Sequence, residues 1–433
     1  MLRQLMKKHF DLPGHNTTMK KEVMAGIVSF FTIIYIVAVN SSILSEAGIP
    51  IEAAIIGTIL TSVFGCVLMG LWSNSPIILV PGMGINAMFA YTMVQSMGLS
   101  WQEALGVTFV SGVLFVLIAF TSLSTILTKA IPHSLKEAIT VGIGLFLAFI
   151  GLEKGGIVVG SQTTLVKLGN LSDPYVLATI ITLLVAIALF MLNVPGNFLI
   201  SMIIGTLIAF MFGLVDVSQI GDFSFSIGDY SSLFGAMSFG SITSYVFWIA
   251  TFSLTMVLVF ENIGLVHGHT QMAGSPEKFK RSFQANGISA MMCGIFGSSP
   301  TVATVETAAG ITAGGKTGIT AITTGILFLC SMFFIPVIKI IPGSAIAPIL
   351  IIIGGLMLQN IKHIDLQDLS EGFPAFFIIV MIPLTYSIAD GIAVGFIMYP
   401  FLKLVVGKGK EVSLTLYLIS GLFLLNFILH AMG

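Results

Sequence analysis

Two glutamates stand inside otherwise apolar stretches of this chain, Glu261 in TMVLVFENIGLVHG and Glu306 in TVATVETAAG. A charged side chain at the centre of a bilayer costs about 2.5–3.5 kcal/mol on the insertion scale, so such residues are usually functional. A carboxyl group can bind and release a proton, and a carboxylate accepts hydrogen bonds from N–H groups. Both residues are therefore candidates for proton coupling and ligand binding. The alternative is that they cap a helix or pair with a structural partner.

Each glutamate has an amide counterpart earlier in the chain. Asn86 precedes Glu306 by 220 residues, and Asn40 precedes Glu261 by 221 residues. Carboxylates accept hydrogen bonds, whereas the asparagine amide and free backbone N–H groups donate them. This combination suits a neutral ligand that carries both N–H donors and carbonyl acceptors.

These spacings belong to an internal repeat. MGLWSNSP at 69–76 recurs as CGIFGSSP at 293–300, at an offset of 224. Three shorter pairs recur in the same order at offsets of 210 to 213, namely SGVLF with TGILF, Ile131-Pro132 with Ile341-Pro342, and Gly144-Leu145 with Gly355-Leu356. Apolar, Gly-rich composition alone produces some matches of this kind, but four in one order favour a true repeat.

The repeat pairs two interrupted segments, Ser73–Ala90 and Gly297–Gly315. Each has Ser-Pro near its start, continues with apolar and β-branched residues, and reaches small residues that can open a half-helix. The free N–H groups and the positive dipole end of such a half-helix point into the membrane. In secondary transporters, paired short or interrupted segments of this kind line the substrate site near the midplane.

Composition shows what kind of molecule positions these segments. The chain has 433 residues, 56% hydrophobic and 9% charged, with a mean hydropathy of +1.04. Soluble domains carry about 25% charged residues, so we expect an integral membrane protein. The net charge of −1 and the absence of a nucleic-acid-binding motif argue against nucleic-acid binding.

Hydropathy predicts an all-α polytopic protein with about 14 transmembrane spans. The expected segments are 23–44, 51–71, 78–95, 104–128, 135–151, 172–192, 197–214, 244–266, 283–297, 302–313, 317–340, 345–359, 372–404 and 413–430. The interval 372–404 is either one broken helix or two short ones, which allows 13 to 15 spans. Seven spans are an odd number, so the second copy would enter the membrane from the opposite side, as an inverted repeat.

Basic residues set the expected orientation through the positive-inside rule. The polar N-terminus is too long for a signal peptide, so the first span is retained and starts in the cytoplasm. The basic residues that support this orientation are Lys7, Lys8, Lys20, Lys21, Lys129, Lys136, Lys278, Lys280 and Arg281. Lys408 and Lys410 fit the positive-inside rule only if the C-terminus lies outside the cell. The side of the membrane on which the C-terminus lies is therefore not decided by these residues.

Other motifs carry less weight. GITAGGKT at 310–317 satisfies the phosphate-loop pattern but lies between two membrane segments, so chance is favoured. His267 and His269 fit a solvated span end better than a metal site, and Asp390 fits a helix break or gate as well as an aqueous end. The cysteines Cys66, Cys293 and Cys330 are predicted to be packing residues. No hydrolase motif is present, so we expect neither an enzyme, a metal nor a cofactor.

With these residues in view, the chain resembles the AzgA-like purine permeases of the nucleobase–cation symporter 2 family, in particular the bacterial guanine/hypoxanthine permeases. The similarity runs from about Lys20 to the C-terminus. It rests on KKEVMAGIVSFFTIIYIVAVN (20–40), PGMGINAMFA (81–90), IPHSLKEAITVGIGLFLAFIGL (131–152), VETAAGITAGGKTG (305–318) and PAFFIIVMIPLTYSIADGIAVGF (374–396).

The resemblance implies a seven-plus-seven inverted repeat with a core domain and a gate domain, and short strands in spans 3 and 10. On this basis the chain divides into a cytoplasmic segment 1–22, a first repeat 23–214 (core 23–128, gate 135–214), a connection 215–243 and a second repeat 244–433 (core 244–340, gate 345–430). It also implies a multi-pass protein of the bacterial plasma membrane. The oligomeric state stays open, a homodimer included.

The resemblance further implies purine import, hypoxanthine or guanine first, with H⁺ as the co-transported ion. The base would lie between spans 3 and 10 and contact Gly84, Asn86, Glu261, Thr304, Val305 and Glu306, with Glu261 and Glu306 coupling the proton. Adenine or another nucleobase, an inorganic anion or a dicarboxylate stay as alternative substrates, and Na⁺ as an alternative ion.

Two departures from the family pattern bear on the base. Relatives usually have Phe-Asp-Thr-x-Gly-Thr on span 8, where this chain has Phe260-Glu261-Asn262-Ile263-Gly264-Leu265, and they tend to place an aromatic residue where Thr304 stands. Both changes can alter the size of the pocket and its stacking surface.

Overall fold

The computed structural model describes residues 9–121, 123, 130–161, 163–215 and 230–432, and most of them are helical. Lys7, Lys8, Lys129 and much of the expected connection 215–243 lie outside the described residues. The helices are α1 Met19–Ile33, α2 Tyr35–Glu46, α3 Ile51–Ser73, α4 Met83–Ala87, α5 Trp101–Phe120, α6 His133–Lys154, α7 Pro174–Met191, α8 Asn197–Met211, α9 Tyr245–Met272, α10 Phe279–Phe296, α11 Thr307–Thr312, α12 Gly318–Cys330, α13 Ile335–Lys339, α14 Gly343–Met357, α15 Leu369–Thr385, α16 Ile388–Val405 and α17 Leu414–Met432.

Four short strands and several tighter or wider helical turns complete the described chain. The strands are β1 Leu79–Pro81, β2 Val158–Gly160, β3 Val166–Leu168 and β4 Thr301–Ala303. A π-helix, Met88–Ser96, continues α4, and 3₁₀ turns cover Pro276–Lys278, Ser331–Phe334, Leu358–His363 and Gly409–Glu411.

The apolar helices confirm the polytopic membrane fold. Within the described residues, nine helical stretches are long and apolar enough to cross a bilayer, by length and composition. The first of them joins α1 and α2 across a break at Ile34. Three shorter apolar helices, α8, α15 and α17, add to these.

The repeat appears in the structure as one local feature that occurs twice. α3 ends at Asn74 and α10 ends at Gly297, and both residues have a left-handed backbone (φ 50° and φ 77°). A left-handed residue ends a helix because it turns the chain away from the helix axis. After each turn comes a Ser-Pro pair and then a strand, so the motif found in the sequence marks the helix-to-strand transition in both halves.

The two strands that follow these turns pair with each other. β1 and β4 are antiparallel, with Leu79 opposite Ala303 and Pro81 opposite Thr301. Both strands are fully buried. This confirms the expected short strands in spans 3 and 10.

The helices form two groups by their packing. The core group, α1–α5 and α9–α13, surrounds the β1–β4 pair, and the gate group, α6–α8 and α14–α16, packs around α6 and α14. Within the gate group, the α7–α8 hairpin packs on α14, and the α15–α16 hairpin packs on α6 in the same way. The inverted repeat therefore extends through both groups.

This packing decides how the interval 372–404 is organised. It contains two helices, α15 and α16, which separate at Tyr386, a residue with a left-handed backbone (φ 56°). Of the two alternatives for this interval, the pair of short helices is therefore confirmed. These two helices pack on α6 as α7 and α8 pack on α14. By this correspondence α17, which the sequence analysis included in the second repeat 244–433, has no counterpart in the first repeat.

One end of the molecule, which we call the inner end, collects the basic loops. Lys278 donates to the backbone oxygen of Asn74 at 2.6 Å, and the Asn74 side chain accepts from the Gly318 amide at 2.8 Å. α5 ends here as well, because Phe120 contacts Trp72 with ring centroids 6.4 Å apart. The positive-inside rule predicts that this end faces the cytoplasm.

Ionic contacts place the end of α16 at the inner end too. Near the start of α6, Ser134 donates to Glu371, and Glu371 pairs with Lys403 of α16 at 2.7 Å. Lys408 pairs with Asp368 at 3.2 Å. The loop that carries Lys408 and Lys410 therefore lies with the other basic loops, and α17 leads away from the inner end toward the opposite one, the outer end.

The phosphate-loop match at 310–317 has a different role in the structure. Its first three residues are the end of α11, so it does not follow directly from a strand. The backbone amides of Lys316 and Thr317 donate to the buried carboxylate of Glu22 at 3.0 and 3.2 Å, and the Thr320 hydroxyl donates to it at 2.6 Å. The anion held by this loop is thus a side chain of α1, which joins the first span to α12.

Of the three cysteines, Cys66 and Cys293 are buried and Cys330 is exposed, and all three are free thiols. Cys66 and Cys293 fit the expected packing role, whereas the side chain of Cys330 lies on the outside of the helix bundle.

We expect Glu22→Ala to lower the thermal midpoint of the detergent-solubilised protein by about 3 °C or more. The substitution leaves two amides and a hydroxyl without their acceptor, and hydrogen bonds to a charged group contribute about 1.5–3 kcal/mol each. Size-exclusion chromatography after heating measures the midpoint. The control is Glu277→Ala, an exposed acid at the same end, and equal midpoints for the two variants would contradict the anchoring role.

Candidate functional site

The candidate site is built on the β1–β4 pair and on the short helices that follow the two strands. In hydrocarbon, backbone N–H and C=O groups need partners within the protein, and each strand supplies partners to the other. A side chain also contributes, because the Thr307 hydroxyl accepts from the Ile78 amide at 3.2 Å. The pair therefore lets α4 and α11 begin inside the core group.

Glu306 lies three residues after β4, at the N-cap position of α11, where its side chain makes no capping hydrogen bond. Its side chain is half-buried. The hydroxyl of Tyr35, the first residue of α2, donates to Glu306 Oε1. Sequence reasoning missed Tyr35, which stands in the apolar run FFTIIYIVAVN with no pattern that distinguishes it from a packing aromatic residue.

Glu261 lies beside the same strand pair because its neighbour Asn262 is bonded to β4. Asn262 Oδ1 accepts from the Ala303 amide at 2.9 Å and also from the Asn286 side chain, while Asn262 Nδ2 donates to the Leu258 oxygen at 2.7 Å. Asn262 is fully buried. It therefore positions the strand and the Glu261 backbone.

The Glu261 carboxyl itself differs from that of Glu306. Its side chain is half-buried, and among the described residues no hydrogen bond acts on its carboxyl group. A carboxyl group in this position can accept a hydrogen bond from a ligand or carry a proton.

Two neutral side chains of the expected site also have unused hydrogen-bonding capacity. Asn86, on α4, is 0% exposed, and its Oδ1 has no partner among the described residues. The same holds for the buried Thr304 Oγ1. A buried polar atom without a partner costs about 1–3 kcal/mol, so these two atoms are suited to take up a ligand or water.

The other two expected contact residues are placed differently. Val305 is 64% exposed although it follows a fully buried strand, so it faces open space beside Glu306. Gly84 is buried where α4 approaches α6 closely, since a Cβ at Gly84 would lie 2.5 Å from Ile143 Cγ2. Gly84 thus allows a core helix and a gate helix to touch.

Asn40 has a structural role, and the structure does not bring its side chain to Glu261. Its Nδ2 donates to Thr58 at 2.8 Å and to Ser298 at 3.2 Å, and its Oδ1 accepts from Ser299 at 3.0 Å. These bonds use both ends of the amide. The expected ligand-facing counterpart of Glu261 is therefore an anchor for the segment that enters β4.

At the outer end, a cluster of aromatic and charged residues closes the space between the two groups. Tyr91 of the π-helix donates to Glu46 at 2.8 Å, and Lys154 of α6 forms an ion pair with the same carboxylate. The rings of Tyr91, Phe146 and Tyr386 contact one another edge to face, with centroids 5.2 to 6.1 Å apart. We call these five residues the outer latch.

The structure also places Asp390, His267 and His269. Asp390 lies in the first turn of α16, four residues after the break at Tyr386, and its backbone amide donates to the capping Ser387 side chain. This position is compatible with a role at the helix break and with an aqueous helix end. His267 is exposed and His269 is buried, and in the described part of the chain no group of three His, Cys, Asp or Glu side chains is arranged to hold a metal.

The known proteins that are similar in sequence to this chain are permeases or transporters. The family Xan_ur_permease, described as a permease family, matches residues 20–394. The nucleobase transporter PlAzg2 of Paenibacillus larvae is 52% identical over 385 residues, which cover 88% of this chain and 76% of the relative. The guanine/hypoxanthine permease PbuO of Bacillus subtilis is 38% identical, covering 96% and 99%, and the adenine permease AdeP of Escherichia coli is 35% identical, covering 98% and 96%.

Solved structures with the same fold come from more distant proteins. The transmembrane domain of the cyanobacterial bicarbonate transporter BicA superposes with a TM-score of 0.65 at 15% identity, over 86% of this chain and 96% of that one. The murine anion transporter Slc26a9 has a TM-score of 0.64 at 14% identity, over 89% and 68%. At such identities the similarity concerns the fold alone.

We expect Asn262→Leu to reduce both the thermal midpoint and ligand affinity, because it removes the acceptor of the Ala303 amide and loosens β4 beside Glu261. The loss of this buried partner costs about 1–3 kcal/mol. The matched control is Ile263→Leu, an apolar exchange one residue further along the same helix. A wild-type midpoint for Asn262→Leu would show that β4 does not depend on this bond.

Proposed function

The chain belongs to the Xan_ur_permease family of permeases, and from this premise we propose that it imports purine nucleobases, hypoxanthine and guanine first, by proton symport. The observation that carries the proposal is the set of groups around the β1–β4 pair. It combines two half-buried glutamates with two buried polar atoms, on Asn86 and Thr304, that have no partner among the described residues. The substrate class is supported by relatives that are named as nucleobase or purine transporters, among them PlAzg2 and PbuO.

The donor and acceptor pattern suits an oxopurine. Hypoxanthine and guanine carry ring N–H groups, which a glutamate oxygen accepts, and a carbonyl oxygen, which an amide N–H or a hydroxyl can satisfy. In this proposal Glu306 and Glu261 take the N–H groups, and Asn86 and Thr304 take the remaining polar atoms. Val305 provides an apolar surface beside the base.

The same glutamates are the proposed proton carriers. A neutral base gains no energy from the membrane potential by itself, whereas a co-transported proton gains about 2.3 kcal/mol per 100 mV. That energy is enough to concentrate the base more than tenfold per proton at a potential of about 100 mV. Glu306 follows β4 by three residues, and Glu261 is the neighbour of Asn262, whose side chain is bonded to the Ala303 amide of β4.

The proposed mechanism is alternating access, in which the core group moves against the gate group. Two features support it. The outer latch joins the two groups at one end. α9 is buried from Leu254 to Val259, and from Phe260 to Leu265 it is partly or fully exposed at every residue except Asn262. In this state the site would therefore open toward the inner end.

An anion or dicarboxylate is the second candidate substrate, since the structural neighbours BicA and Slc26a9 are named as bicarbonate and anion transporters. It is the weaker candidate, because no Lys or Arg occurs from Ser73 to Ala90 or from Gly297 to Gly315. Two carboxylates beside the site would also repel an anion. Adenine is a closer alternative, given the identity to AdeP.

Uptake of labelled bases tests the site assignment. In cells without their own nucleobase permeases, we expect wild-type uptake of hypoxanthine or guanine to saturate, Glu306→Gln to abolish accumulation, and Glu261→Gln to reduce uptake severely. The control is Glu277→Gln, an exposed loop acid, which we expect to transport normally. Wild-type uptake by both site variants would remove Glu261 and Glu306 from the mechanism. Uptake of adenine or an anion in place of these bases would replace the proposed substrate.

Cross-linking tests the movement of the two groups. In a cysteine-free background, oxidation of a Glu46→Cys, Lys154→Cys pair should join the core group to the gate group and stop uptake, and a reductant should restore it. The matched control joins Glu52 and Lys339, an ion pair between two core helices. Because that cross-link lies within one group, uptake should continue. Equal uptake in both oxidised pairs would contradict alternating access through the outer latch.

A further inference from the structure

Tyr35 is a buried residue that the proposed site does not yet use. It is 1% exposed and begins α2, directly after the break at Ile34 that separates α2 from α1. Its hydroxyl donates to Glu306 Oε1 across 271 residues of sequence. One side of a candidate binding carboxyl is therefore held by a residue of the opposite repeat.

This contact fixes one oxygen of Glu306 from the opposite repeat. Oε1 accepts from the Tyr35 hydroxyl, and the other contacts of the carboxyl group are local ones, with the Glu306 backbone and the Thr304 side chain. A carboxylate with a single fixed oxygen cannot rotate freely, so the direction of its second oxygen is set. Preorganising an acceptor in this way reduces the entropy that a ligand must lose on binding.

The ring of Tyr35 is held from the other side by the gate group. Phe198 of α8 contacts it edge to face, with centroids 5.1 Å apart, and Phe198 in turn stacks on Phe190 of α7 at 6.1 Å. A continuous line of contacts thus runs from Glu306 through Tyr35 to the α7–α8 hairpin. Movement of that hairpin would change the support of the tyrosine ring.

We propose that Tyr35 is a positioning residue for the substrate: its hydroxyl fixes Glu306 so that Oε2 meets an N–H of the base, and its ring links this orientation to gate helix α8. The inference rests on the proposed function for the identity of the ligand. In this role Tyr35 acts through the orientation of Glu306 and does not itself carry the proton.

The test compares Tyr35→Phe with Tyr399→Phe. Tyr399 is a matched control because it is also buried and donates to a glutamate, Glu371, at 2.7 Å, but it lies in the gate group at the inner end. Binding of labelled hypoxanthine to the purified protein gives Kd, and uptake gives KM and the maximal rate. We expect Tyr35→Phe to raise Kd and KM about tenfold, which corresponds to 1.4 kcal/mol, and Tyr399→Phe to leave both at wild-type values.

Two further variants separate positioning from general damage. In the Glu306→Gln background, Tyr35→Phe should cause no further loss of binding, because the group that it positions is already altered. The infrared carboxylate band that disappears in Glu306→Gln should shift in Tyr35→Phe and stay in place in Tyr399→Phe. This spectroscopic readout needs no substrate.

The outcomes distinguish the inference from the proposed function. Wild-type Kd in Tyr35→Phe, or an equal loss in Tyr399→Phe, would overturn the positioning role while leaving purine import intact. A wild-type protein that binds no base would overturn the proposed function. The infrared band of Glu306 would then still test whether Tyr35 positions this carboxyl group. If that band did not shift in Tyr35→Phe, the positioning role would be overturned too.

Discussion

The β1–β4 pair is the interaction on which the rest of the structure depends. A backbone that leaves the helical conformation inside a membrane must find partners for its N–H and C=O groups, at a cost of several kcal/mol for each group left alone. Here each repeat contributes one strand, and the strands complete each other. Neither repeat can form its interrupted segment without the other. The site therefore requires both halves of the inverted repeat.

The polar side chains of the core group fall into two sets once this constraint is considered. In the first set, the side chains form hydrogen bonds with the strands or with the segments that lead into them. This set contains Asn40, Asn262 and Thr307. Asn86, Thr304 and Glu261 keep atoms without partners among the described residues. A site for a neutral, polar ligand needs both sets. The first set keeps the interrupted backbone in place, and the second set provides the atoms that can form hydrogen bonds with the ligand. The outer latch adds a third element, since it closes one approach to this space.

Much of this arrangement could be predicted from the sequence. The offset between the two Ser-Pro motifs located the two interrupted segments, and the family resemblance implied the strands within them. The high cost of a charge in an apolar helix singled out Glu261 and Glu306. The partners of these residues could not be predicted in the same way. Asn40 and Asn86 are both asparagines in apolar segments, and only the fold shows that one is fully bonded while the other is not. Tyr35 and Glu22 find their partners across 271 and about 295 residues of sequence, a separation at which no local pattern reports contact. The boundary between α15 and α16 was open for a different reason, because Pro383 and Asp390 are compatible with a kink as well as with a turn.

The central claim is that the glutamates at the strand pair carry a proton together with a nucleobase. It is tested most directly with purified protein in liposomes that contain a pH-sensitive dye, with no pH gradient or potential at the start. When hypoxanthine is added outside, the account predicts acidification of the interior that follows the inward movement of the base, and no acidification with Glu306→Gln. Entry of hypoxanthine into wild-type liposomes without any acidification would contradict the account, because the base would then move without a proton.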